Sequence, residues 1–206
     1  MRIHIIAEGP SDRTLIQAIL KAIRPQSELE FTPESKTQMK RRGAEPILLE
    51  ERTFAKFLHH AYAYRAELIV VMVDNDGAEK DPSGVSTERS GIIAGSIKRF
   101  IARHAERYSD QSPVFAIMVP IESMDYWAHC VKLNISNCGK IRSIEAIDRR
   151  MMKEIAYGAE SIYAGWAIDS EAIQEVVDIL EEDLAALRRL RCLPSFADFE
   201  AQLPTC

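Results

Sequence analysis

Apolar positions along the chain fall into two periods. Three runs are continuous and rich in β-branched residues: Arg2-Ile3-His4-Ile5-Ile6-Ala7, Leu68-Ile69-Val70-Val71-Met72-Val73 and Pro113-Val114-Phe115-Ala116-Ile117-Met118-Val119-Pro120. A run without alternation predicts a strand covered on both faces, as in a parallel sheet. A shorter strand is expected around Leu29-Glu30-Phe31-Thr32. Between these runs the period changes to that of a helix. Leu15, Ile16, Ile19, Leu20 and Ile23 share one face, with Ser11 as the expected N-cap and Pro25 as the stop. A second amphipathic helix is predicted from about Ile47 to Tyr64, a third from Ser86 to about Tyr108, and Ile121-Glu122-Ser123-Met124-Asp125-Tyr126-Trp127 leads from the last apolar run into another. Residues 132–141 read as a loop, and helices near 142–157 and 170–191 complete the chain. The last of these carries Ile173, Val176, Val177, Leu180, Leu184 and Leu187 as a core stripe.

The order is therefore βαβαβ with a fourth strand, and each crossover should be right-handed. The fold class expected is α/β: a mainly parallel, Rossmann-like sheet of about four strands flanked by helices, with a C-terminal helical extension. The domain division that follows is an α/β core over 1–128 and a helical extension over 129–206. No internal repeat or low-complexity tract interrupts it.

Composition narrows the function classes. The 206 residues carry a net charge of −5 and are 47% hydrophobic, enough for an ordinary core. A net acidic chain does not hold nucleic acid by bulk positive charge, so any such contact needs a local basic patch or a bound cation. No apolar stretch approaches the ~20 residues needed to cross a bilayer, and a cytoplasmic location without membrane partners is expected. Cys130, Cys138, Cys192 and Cys206 have neither zinc-like nor redox-like spacing, which predicts reduced thiols.

The candidate chemistry sits where strands end. The third strand breaks into Asp74-Asn75-Asp76-Gly77, and the first ends in Glu8-Gly9-Pro10-Ser11-Asp12. Glu122 and Asp125 follow the fourth strand. In a parallel sheet these acidic groups share the carboxyl edge, where open α/β sheets place ligands. Carboxylates converging from extended or turning backbone suit a hard divalent cation that prefers oxygen. The polar segment 33–46, with Lys36, Lys40, Arg41 and Arg42, is a candidate phosphate-contacting loop.

Each feature also has a plainer explanation. Glu8, Asp12, Glu122 and Asp125 suit helix starts, where the macrodipole favours anions. Asp-Asn-Asp-Gly is ordinary turn composition, and the basic segment reads equally as a solvated loop. His59, His60 and His104 fall on helices away from the acidic edge and carry no assigned role. Trp127 and Trp166 read as core anchors.

The Glu8-Gly9-Pro10-Ser11-Asp12 turn opening a helix, together with Asp74-Asn75-Asp76 after an apolar strand, resembles the paired Glu and Asp-x-Asp motifs of the Toprim domain. That domain occurs in topoisomerases, bacterial primases, OLD-family nucleases and a ribosomal-RNA maturation nuclease. The likeness covers residues 1 to about 120. Beyond it, Pro120-Ile121-Glu122-Ser123-Met124-Asp125-Tyr126-Trp127 and Leu193-Pro194-Ser195-Phe196-Ala197-Asp198-Phe199 resemble a family of small stand-alone Toprim-like proteins. Members of that family often carry Glu two residues before the Trp, where this chain has Asp125.

The resemblance implies Mg²⁺- or Mn²⁺-dependent phosphodiester chemistry, with Glu8, Asp74 and Asp76 as catalytic residues and Glu8, Asp74, Asp76 and Asp125 as metal ligands. A second ion, roughly 3.5–4 Å from the first, would draw on Asp125 or Glu122. It also implies DNA or RNA as substrate, for which Lys36, Lys40, Arg41 and Arg42 of the basic segment are the candidate contacts, and a role in defence against phage or mobile DNA. The alternative is a non-catalytic Toprim-like module that regulates a partner ATPase or binds nucleic acid. A homodimer is compatible with either. No tyrosine stands out as a topoisomerase-type nucleophile.

Overall fold

A computed structural model describes residues 1–31, 45–75, 88–120, 123–133, 137–142, 149–162 and 168–204. Asp76, Glu122, Trp166, Cys206 and the basic residues Lys36, Lys40, Arg41 and Arg42 lie outside that set. The sheet consists of β1 (Arg2–Ala7), β2 (Glu28–Phe31), β3 (Leu68–Met72) and β4 (Val114–Met118) in the order β2-β1-β3-β4, every pair parallel. Every residue of β3 is buried, which explains its unbroken apolar run. The architecture is thus an α/β fold with a four-stranded parallel sheet between helical layers.

Alternation along the strands sorts side chains into two cores. Ile3, Ile5, Ala7, Leu68, Val70, Met72, Ala116 and Met118 face one layer, made by α1 (Pro10–Ile23), α5 (Met124–Lys132), α7 (Arg149–Tyr157), α8 (Ser170–Glu182), α9 (Leu184–Leu190) and α10 (Pro194–Ala201). Ile6, Ile69, Val71 and Val73 face the other, made by α2 (Glu45–Leu48), α3 (Glu51–Ala63) and α4 (Glu88–His104). His4 lies buried in β1 between Ile3 and Ile5. The helices after residue 129 share one continuous apolar cluster with α1 and the sheet.

Several local expectations are corrected. Ser11 is not the N-cap of α1: Gly9 holds that place, and Pro10 occupies the first helical turn, where its missing N–H costs nothing. The helix foreseen over 170–191 is two helices. Asp183 interrupts it by accepting the Ala185 N–H at 2.8 Å as the cap of α9, while pairing with Arg189 at 3.0 Å. The span read as a loop over 132–141 contains the start of α6 (Cys138–Arg142). Helix α10 was not foreseen; Pro194 opens it, and it carries Phe196 and Phe199 against Trp127, with ring centroids 4.9 and 6.3 Å from the indole. Trp127 is a core anchor, and its Nε1 donates to Ser195 Oγ at 3.2 Å.

Just past α10, the Gln202 amide seals the edge of β4. Its Oε1 accepts the Ile117 N–H at 2.7 Å, and its Nε2 donates to the Ile117 carbonyl at 3.1 Å. The expectation of four reduced thiols is not met either, because Cys138 and Cys192 form a disulfide, while Cys130 is buried and takes no part in it. The bridged cysteines are 54 residues apart and are brought together by tertiary packing, so no spacing signature announces them.

Candidate carboxylate site

The topology determines where a ligand fits. From β1 the chain steps to β2 on one side and then returns to place β3 on the other, so the sheet has its switch point between β1 and β3. Crevices in open parallel sheets form outside the carboxyl ends of strands at such a point. Glu8 is the first residue past β1 and Asp74 the second past β3, and the register sets Ala7 against Met72. The two predicted carboxylates therefore flank the crevice from neighbouring strand ends. Glu8 is half-buried and Asp74 is 5% exposed.

Asp74 also shapes the entrance of α5. Its Oδ1 accepts the Met124 N–H at 3.0 Å, satisfying one of the donors that a helix start leaves open. Ser123 completes the cap: its Oγ accepts the Asp125 N–H at 3.3 Å and donates to Asp125 Oδ2 at 2.9 Å. Asp125 is thereby held in the first turn of α5, buried beside the strand ends. On the other side of Asp74, Arg89 from the start of α4 donates to its backbone carbonyl.

A fourth carboxylate joins them. The Asp12 side chain folds back over the Glu8-Gly9 turn so closely that a Cβ on Gly9 would lie 2.7 Å from Asp12 Oδ2. A larger residue at position 9 would have to displace the Asp12 carboxylate from this place. Asp12 thus lies at the carboxylate edge as well as in the first turn of α1, where the helix dipole favours it.

Two residues of α7 face this edge, and neither was found from the sequence. Lys153 sits near enough to Asp125 to favour its ionised form, and Tyr157, one helical turn later, lies against the same carboxylate. Burial pushes the Asp125 carboxyl above its ordinary range, and Lys153, Ser123 and Tyr157 oppose that shift. The Tyr157 hydroxyl is pushed well above the usual phenol range, first by burial and then by the charges of Asp125, Asp12 and Asp74. The hydroxyl is buried and has no hydrogen-bond partner within normal distance. The only sequence signal for this pair was its i, i+4 spacing beside the buried Met152 and Ala156.

Of the predicted set, Glu8, Asp74 and Asp125 come to one edge, joined by Asp12, while Asp76 and the basic residues fall outside the described part. Among the described residues, no three His, Cys, Asp or Glu side chains form a group arranged to hold a metal ion. The groups gathered at this edge are carboxylates, whose oxygens are the donor type that hard cations prefer. His59 and His104 lie at the opposite end of the sheet, in a ring cluster with Phe100 and Tyr108, where His59 Nδ1 meets Tyr108 Oη at 2.6 Å. No described helix is long and apolar enough to cross a membrane. Comparison with protein-family models, curated proteins and solved structures finds no match, so the geometry of the site carries the functional argument.

Proposed function

We propose that the protein is a Mg²⁺- or Mn²⁺-dependent enzyme of Toprim type that processes phosphodiesters, a nuclease acting on DNA or RNA. The supporting observation is the position of Glu8 and Asp74 on either side of the switch point between β1 and β3. Glu8 and Asp74, with Asp76, would hold the ion, and Asp125 stands next to them. A bound divalent ion neutralises phosphate charge and polarises a non-bridging oxygen, which lowers the barrier to displacement by several kcal/mol. Glu8 is half-buried at the mouth of the crevice, where it can take a proton from an attacking water. Lys36, Lys40, Arg41 and Arg42 would contact the backbone of the polymer. A cytoplasmic setting and a role against phage or mobile DNA belong to the same proposal. In a reducing compartment the Cys138–Cys192 bridge would be open to reduction.

One observation favours the second reading, a regulatory module that works with a partner ATPase or nucleic acid without cleaving it. Asp74 already spends one carboxylate oxygen on the start of α5, and the chain is net acidic. The two readings separate in one experiment. Wild type, Asp74→Asn and Asp76→Ala are incubated with labelled single- and double-stranded DNA and RNA in Mg²⁺, Mn²⁺ or chelator. The nuclease reading expects cleavage in wild type that needs the ion and disappears in both variants, with binding retained in Asp76→Ala. Absence of cleavage under every ion leaves the regulatory reading. Undiminished cleavage by Asp76→Ala refutes the proposed site.

A further inference from the structure

Charge is unevenly placed on this net acidic chain. Helices α3 and α4, which make most of the layer on one side of the sheet, carry six lysines and arginines against two glutamates. In the opposite layer, α8 holds five acids and neither lysine nor arginine. A chain of net charge −5 therefore turns a cationic face to solvent through two neighbouring helices.

The cations of this face are exposed. Phe54, Leu58 and Ala61 bury one side of α3, and Ile93, Ile97 and Phe100 bury one side of α4, which leaves Arg52, Lys56, Lys98, Arg99 and Arg103 in solvent. Glu51 joins the two helices: its Oε1 lies 2.9 Å from Arg103 Nη1 and 4.0 Å from Arg99 Nε. One carboxylate between two guanidinium groups leaves a cation in excess. All three side chains are more than half exposed, so solvent screens these pairs and they yield readily to a competing anion. Both helices lead away from the carboxylate edge. Helix α3 precedes β3 and α4 follows it, so each runs back along the parallel strands from their carboxyl ends. Arg89, in the first turn of α4, bonds the Asp74 carbonyl at that edge, and the 17 residues of α4 then extend about 25 Å from it.

We propose that the outer face of α3 and α4 is a docking surface for the phosphate backbone of a nucleic acid, laid from the carboxylate edge along Arg52, Lys56, Lys98, Arg99 and Arg103. Guanidinium groups take phosphate oxygens through two parallel N–H donors, and Glu51 already holds Arg99 and Arg103 side by side. Contacts to phosphate carry no sequence information, so binding along this face is indifferent to base sequence. The inference rests on the choice of DNA or RNA as partner made above, and not on cleavage.

The test uses the full chain and two variants that each lose three positive charges. One joins Arg52→Ala, Lys56→Ala and Arg99→Ala on this face; the other joins Lys21→Ala, Lys140→Ala and Arg188→Ala at exposed positions of α1, α6 and α9. Fluorescence anisotropy across a salt series, with chelator present, follows binding to single- and double-stranded DNA and RNA of two unrelated sequences. The α3–α4 variant should bind at least ~10-fold more weakly, and its slope of log K against log salt should be shallower by about 2, as expected when three phosphate contacts are lost. The second variant, equal in net charge, should keep the wild-type slope. Equal losses in the two variants overturn the surface, as does a wild type that binds none of the polymers or an α3–α4 variant that binds like wild type. Loss of binding to phosphatidylserine vesicles with nucleic-acid binding unchanged assigns the face to a membrane and overturns it too. If no ion supports cleavage while the α3–α4 variant still loses binding, the nuclease reading falls and the surface stands.

Discussion

Acid should destabilise this fold through His4 by an amount that can be worked out. The imidazole is 1% exposed in the middle of β1, with the Tyr64 ring 6.1 Å away. Burial, and then the nearby His60, lower its pKa from 6.5 to about 4. The unfolded chain takes up a proton at this position as pH falls below about 6.5, and the folded chain does not until about 4. The unfolded state binds the extra proton throughout that window. Stability is thus fully present above pH 6.5, declines on acidification at ~1.4 kcal/mol per pH unit, and stops declining from this source below about 4. The accumulated loss is about 3 kcal/mol, a large share of the roughly 5–15 kcal/mol that holds a domain folded. The assay is urea unfolding at half-unit steps from pH 7.5 to 4 for wild type and His4→Leu, which puts a non-titrating side chain among the apolar residues of β1. Subtracting the two curves cancels the carboxylates and the other histidines. The difference should slope by close to one proton between pH 6 and 4.5. Parallel curves for the two proteins would show that His4 is protonated as easily in the fold as out of it, and the argument from burial would fail.

Three further outcomes are expected. Asp74→Asn keeps an oxygen for the Met124 N–H and should melt near wild type without ion while losing most of its response to Mg²⁺ or Mn²⁺; Asp74→Ala should cost a further ~1–2 kcal/mol in urea unfolding, the usual loss for a helix cap. Cys138→Ser should lower stability under oxidising conditions by about 4 kcal/mol, the chain-entropy value for closing a loop of this length, and adding dithiothreitol should lower wild type to match. Changing Lys40, Arg41 and Arg42 together to Ala should weaken nucleic-acid binding and flatten its dependence on salt, measured by fluorescence anisotropy, since fewer counterions are released per complex.

How much of this the sequence disclosed depended on how local each signal was. β3 was legible because a strand covered on both faces is apolar at every position, β1 because Ile3, Ile5, Ile6 and Ala7 surround a single buried histidine, and the parallel order followed from the helices between them. The placement of Glu8 and Asp74 followed from the same reasoning, because each comes just after such a strand. Asp183 was hidden because the apolar stripe of α8 continues in phase into α9, and only the capping contact to Ala185 reveals the break. The Cys138–Cys192 bridge and the meeting of Tyr157 with Asp125 join residues 54 and 32 positions apart. No periodicity reports on contacts of that kind, since they depend on how separate helices pack: the start of α6 against the chain after α9 in the first case, α7 along α5 in the second. Arg89 was missed for a similar reason, as a single cation at the start of an amphipathic helix looks like any solvated residue until Asp74 is seen beside it.

The amide of Gln202 fixes how wide the sheet can grow. By offering one acceptor and one donor to Ile117, it imitates the neighbour that a fifth strand would provide, and β4 ends the sheet without a free ladder at that point. The seal is a single side chain following α10, whose Phe196 and Phe199 are pinned by Trp127. If α10 swings away, β4 becomes an open template on which an extended peptide can add by backbone pairing. The packing of the Trp127 indole against α10 thus bears on whether the β4 edge stays closed.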